Sequence, residues 1–170
     1  MRYFSGFCFR NEKYIFEKFL IQSDTTVAGF SYGACKAFEY AYYTTNRVDR
    51  LILLSPAFFQ EHKKSFIRTQ LRYFTTDKDL YIQNFINNVI YPSHIDISPY
   101  FHTGTQEQLQ ELLEYKWDTS KLQELKQRGV SIEVFLGEKD KIVDTTKSAK
   151  FFAQVSTVYT IKDVGHILSD

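Results

Sequence analysis

The sequence predicts an α/β domain with about five parallel strands. Three observations point there. Short apolar runs alternate with segments whose apolar residues recur every three or four positions, the order that builds a parallel sheet with right-handed crossovers. One run, Leu51-Ile52-Leu53-Leu54, is apolar without a break, as a strand covered on both faces requires. And 170 residues that are 44% hydrophobic supply one core of domain size.

Residues 2–5 read as the first strand and Gly6-Phe7-Cys8-Phe9 as the loop after it. Asn11 is placed to cap a helix through about Leu20, with Ile15, Phe16, Phe19 and Leu20 on one face. Gln22-Ser23-Asp24 breaks it. A strand ending at Val27-Ala28 follows, then a helix with Ala34, Ala37, Phe38 and Ala41 on its inner stripe, ending near Thr44-Thr45-Asn46. The three alanines let that helix lie close on a sheet. Ser55-Pro56 stops the 51–54 strand. Over 58–128 strand-like runs vanish and four helical stripes take over. They are Ile67, Leu71 and Phe74, then Ile82, Phe85, Ile86 and Val89, then Leu109, Leu112 and Leu113, then Leu122 with Leu125. Tyr91-Pro92 closes the second and Gly129 the fourth. The sheet resumes with 132–136. Asp144 caps a helix carrying Ala149, Phe152 and Ala153, and 158–161 is the last strand. About 70 residues between strands three and four are too many for a connector and read as a helical lid. Residues 1–57 and 129–170 are then the core, and 58–128 the lid.

Composition excludes several function classes. A formal net charge of +1 gives no general attraction to nucleic acid. No apolar run approaches a membrane span, and Met1-Arg2-Tyr3-Phe4-Ser5-Gly6 lacks the plan of a signal peptide, so a cytoplasmic location is expected. Cys8 and Cys35 have no metal-ligand spacing and are expected as buried thiols. Aromatic residues make up 17% of the chain, enough for a core or pocket with large flat walls.

The chemistry centres on Gly29-Phe30-Ser31-Tyr32-Gly33, a G-x-S-x-G spacing between an apolar run and a helical pattern. A serine on a sharp strand-to-helix turn is held in strained backbone, and the residues two either side approach other backbone too closely for side chains. The alternative is a plain Gly-Ser-Gly turn. Two downstream signals argue against it. Asp140 follows the 132–136 strand, and His166 sits in the loop after the last strand, both where parallel sheets place chemistry. Ser31 is then the nucleophile, His166 the base and Asp140 the group that holds the imidazole. Asp144 and Glu138 rival Asp140, but Asp144 is already explained as a helix cap. His62, His94 and His102 lie in the lid region, and Asp163 reads as a surface residue. Acyl transfer also needs oxyanion donors. The backbone N–H groups of Tyr32 and of Phe7, in the loop after the first strand, are the candidates.

Ser5-Gly6-Phe7, the 29–33 pentapeptide, Gly137-x-x-Asp140 and Gly165-His166, in that order, resemble the α/β-hydrolase superfamily over essentially the whole chain. Within it the sequence is similar to the esterases of biotin synthesis that cleave pimeloyl-[acyl-carrier protein] methyl ester, in their short, BioV-type form. The resemblance implies a reduced α/β-hydrolase fold and a serine carboxylesterase that needs no cofactor or metal. Its products would be pimeloyl-[acyl-carrier protein] and methanol, and its partner an acidic, helical acyl-carrier protein. Lys63, Lys64, Arg68 and Arg72 would form a basic face for that carrier; a solvated helix face is the alternative. Other serine hydrolases (a short-chain carboxylesterase or a thioesterase) and a non-catalytic binding module share the same motifs. Against the family pattern the sequence lacks two strands before the first, one strand between the first and the elbow strand, and a final helix. The first strand is therefore expected at a sheet edge.

Overall fold

The computed structural model describes all 170 residues. Five strands, β1 (Arg2–Phe4), β2 (Thr26–Phe30), β3 (Arg50–Leu54), β4 (Ser131–Gly137) and β5 (Thr157–Ile161), form one sheet in the order β1-β2-β3-β4-β5. Every neighbouring pair is parallel. Between them lie α1 (Tyr32–Tyr43), α2 (Lys64–Thr76), α3 (Lys78–Ile90), α4 (Gln106–Glu114), α5 (Thr119–Gln127) and α6 (Thr145–Phe152). Helices α2 to α5 all belong to the insertion between β3 and β4. No helix is long and apolar enough to cross a membrane.

Strand alternation sends apolar residues to both faces of the sheet. Val27, Leu51, Leu53, Val134 and Leu136 pack under α1, α5 and α6, against Ala37, Phe38, Leu122 and Phe152. Ala28, Phe30, Ile52 and Leu54 face the other way, toward Phe16, Leu20, Val89, Ile97 and the tail residues Ile167 and Leu168. The insertion thus feeds both cores: α5 covers one face, while the end of α3 and the segment after it cover the other. The same segment is stitched to the loop after β1. Phe9 bridges Phe101, Arg10 N–H donates to Tyr100 O at 2.7 Å, and His102 N–H donates to Cys8 O at 3.0 Å.

Two sequence expectations change here. The first helix is a 3-10 helix, Glu12–Phe19, and Asn11 does not cap it: its backbone is left-handed (φ 60°) and its side chain accepts no helix N–H. The residue turned inward at that end is Glu12, fully buried. Nor do all crossovers share one hand. In a sheet of sequential parallel order, connections on opposite faces have opposite hands. α1 and α6 pack on one face and the 3-10 helix on the other, so the β1-to-β2 crossover is the odd one. A connection on that face keeps the common hand only if its next strand joins the outer edge of β1. No strand lies there, and the chain returns directly to β2.

Candidate active site

The site grows out of the turn between β2 and α1. Ser31 has φ 53° and ψ −115°, a conformation that costs about 1–3 kcal/mol for a residue with a side chain. Its surroundings enforce it. Ser31 N–H donates to Leu54 O at 2.8 Å, and its own carbonyl accepts from Ala34 and Ala57 N–H. The flanking glycines are required by contact. A Cβ on Gly29 would lie 2.2 Å from the Gly33 carbonyl oxygen, and one on Gly33 would lie 2.0 Å from that of Phe4. The Gly33 contact also seats the end of β1, and the loop after it, directly on the first turn of α1.

The loops after β4 and β5 bring the other two groups. Asp140 is fixed by its own backbone: Oδ1 accepts from Ile142 N–H at 2.7 Å and Val143 N–H at 3.0 Å. Oδ2 is left for His166 Nδ1 at 2.6 Å, and His166 Nε2 stands 2.9 Å from Ser31 Oγ. A carboxylate only accepts, so Nδ1 carries the proton and Nε2 is free to take the serine's. The side chains of His166 and Asp140 are wholly shielded from solvent and Ser31 is 3% exposed. The two loops are zipped together. Lys139 N–H donates to Val164 O at 2.9 Å, and a Cβ on Gly137 would lie 2.1 Å from Gly165 O. Gly165 in turn sits against Tyr91 O, 1.8 Å from where its Cβ would be, so the turn after α3 braces the histidine loop.

The remaining acids fall elsewhere. Asp144 caps α6 by accepting from Lys147 N–H, and Asp163 pairs with Lys139 on the surface. The Tyr32 N–H opens α1 and has no acceptor within the helix. The Phe7 N–H donates to no backbone carbonyl. The Tyr32 side chain runs the other way, donating its hydroxyl to Glu111 of α4; burial, then Glu111, push that phenol upward. Lys63, Lys64, Arg68 and Arg72 stand exposed, and none has an acid within ion-pair distance. A cavity of about 700 Å³ lies between α2, α3 and α4, walled by Phe59, Phe66, Phe85, Leu109 and Leu112. It reaches Ile142, two residues past Asp140, without reaching Ser31.

One residue at the site escaped sequence reasoning. Ser55 is fully buried with φ 40°, and its hydroxyl donates to the His166 carbonyl at 2.6 Å. In the sequence it is only a polar residue ending an apolar strand.

No protein-family model and no curated protein matches the sequence; the likeness is in the fold. An esterase from Exiguobacterium antarcticum superposes with TM-score 0.65 at 16% identity, covering 83% of this chain and 59% of that one. MenH from S. aureus gives 0.64 at 16%, covering 96% and 85%. BioG from Haemophilus influenzae gives 0.60 at 12%, covering 98% and 87%. The chain spans 59% of that esterase and 53% of a Bacillus subtilis carboxylesterase, CesB. With a G-x-S-x-G elbow and a serine, aspartate, histidine order on a parallel sheet, the chain has a reduced α/β-hydrolase fold.

Proposed function

We propose that the protein is a serine esterase that hydrolyses the methyl ester of pimeloyl-[acyl-carrier protein]. The observation that carries the esterase part is the continuous hydrogen-bonded line from Ser31 Oγ through His166 to Asp140. Ser31 attacks the ester carbonyl while His166 Nε2 takes its proton. The oxyanion forms toward the Phe7 and Tyr32 amides. His166 then protonates departing methanol, and Asp140 supports the charged imidazole throughout. Water, activated by the same histidine, releases the acid. Several neighbours in fold are esterases, the Exiguobacterium enzyme and the carboxylesterase CesB among them, which supports ester hydrolysis.

The substrate part rests on the sequence resemblance, together with two features that suit it. The cavity of about 700 Å³ between α2, α3 and α4 has room for a thin acyl chain. On a different side of α2 from the residues that line it, Lys64, Arg68 and Arg72 recur with Lys63 at the helix start, exposed and without acidic partners, which suits an acidic carrier.

The test is a paired assay. Wild-type protein should convert the carrier-linked dicarboxylate methyl ester to the free acid. Arg68→Glu with Arg72→Glu should cut that rate roughly tenfold or more, a loss of about 1.4 kcal/mol per tenfold, and spare a small aryl ester. Equal losses on both substrates would contradict carrier docking. Turnover of aryl esters alone would favour a short-chain carboxylesterase.

A further inference from the structure

Glu12 is a buried acid that the triad does not use. It is the first residue of the 3-10 helix and has no exposed surface. Its Oε1 accepts from Gly6 N–H at 2.8 Å and from the Tyr3 hydroxyl at 3.1 Å, while Oε2 is buried with no partner. Burying a carboxyl that leaves one oxygen unmatched is costly, so the contact it does make matters.

That contact is to the oxyanion loop. Gly6 is held on both sides. Its N–H is bound by Glu12, and its carbonyl accepts from Phe9 N–H at 3.1 Å. The Gly6 carbonyl and the Phe7 N–H belong to one planar trans peptide and point opposite ways. Fixing the carbonyl toward Phe9 therefore aims the Phe7 N–H away from it. Gly6 itself presses on Phe30, with its would-be Cβ 2.7 Å from that ring, so the loop is seated on the residue before Ser31. Resting on the esterase reading above, we propose that Glu12 is a positioning residue which anchors Gly6 through its N–H, in the Ser5-Gly6 peptide, so that the next peptide keeps its carbonyl on Phe9 and its Phe7 amide toward the oxyanion. Burial pushes the Glu12 carboxyl upward, and the oxygen that meets the loop is the one that accepts the Gly6 N–H.

Glu12→Leu keeps the volume and removes the acceptor; Glu12→Gln keeps both. On an aryl ester, Glu12→Leu should lower kcat about 10- to 100-fold, within the range for a weakened oxyanion donor, with KM within about twofold. Affinity for a trifluoromethyl ketone, whose adduct carries the oxyanion, should fall by the same factor as kcat/KM. Glu12→Gln should restore both. Folded Glu12→Leu with unchanged kcat overturns the proposal. So does a loss in KM rather than kcat, or a folded Glu12→Gln as impaired as the leucine variant, a result that decides the matter even if Glu12→Leu does not fold. Wild-type protein that turns over no ester overturns the esterase reading, and this proposal with it. Wild-type turnover that Glu12→Leu leaves intact overturns the positioning role alone.

Discussion

Ser55 holds His166 by its main chain. Its buried hydroxyl is the donor to the His166 carbonyl, and removing it leaves that acceptor unmatched at a cost of about 1–3 kcal/mol. Ser55→Ala should fold with a slightly lower melting temperature and lose roughly tenfold or more in kcat, because small misplacements of a reacting group are expensive. An unchanged kcat would show that the carbonyl needs no such tether. Glu12 gives a pH signature. Burial raises its carboxyl from the ordinary value of 4.5, so between that value and the raised one the folded state holds a proton the unfolded state has lost. Stability contributed by the protonated form is present below 4.5 and falls as pH rises through that window. Melts of wild type and Glu12→Gln should therefore diverge as pH rises, with the wild type declining more steeply. A constant difference would contradict it. The meeting of Ser31, Asp140 and His166 was legible in the sequence because each is a polar residue in a loop after a strand. Ser55 and Glu12 were not, because each acts on a main-chain group whose position only the folded chain defines.

At the scale of elements, the elbow is a contact between β1, β2 and α1. Gly33 touches the Phe4 carbonyl, a backbone atom that does not yield as a side chain does. Gly33→Ala should cost on the order of 3 kcal/mol by overpacking and lower the melting temperature by roughly 6–12 °C. A melt within a degree or two of wild type would mean the loop after β1 is not seated as described. The sequence located α1 to α6 well, since their stripes are periodic, Tyr91-Pro92 follows α3, Gly129 follows α5 and Asp144 opens α6. It misread 12–19, where the apolar spacing suits an α-helix but the chain winds as a 3-10 helix with Phe16 packed on Phe30.

For the whole molecule, the insertion between β3 and β4 does more than cap one face. Val89 and Ile97 join the core beneath β2 and β3. On the other side, polar side chains fasten it to α1: Tyr115 donates to Glu39 at 2.6 Å and Tyr42 to Glu124 at 2.7 Å. Composition announces a helical insertion but not which face it covers, because both faces are equally apolar in sequence. The odd hand of the β1-to-β2 crossover also belongs to this scale: no strand lies on the outer edge of β1, and the chain returns from the 3-10 helix to β2. The central claim remains the geometry of Ser31, His166 and Asp140, and covalent labelling by a fluorophosphonate tests it most directly. Wild-type protein should be modified at Ser31, His166→Ala should react at least about a hundredfold more slowly, and Ser31→Ala should not react at all. Label absent from Ser31 in folded protein, or undiminished when His166 is removed, would contradict the account.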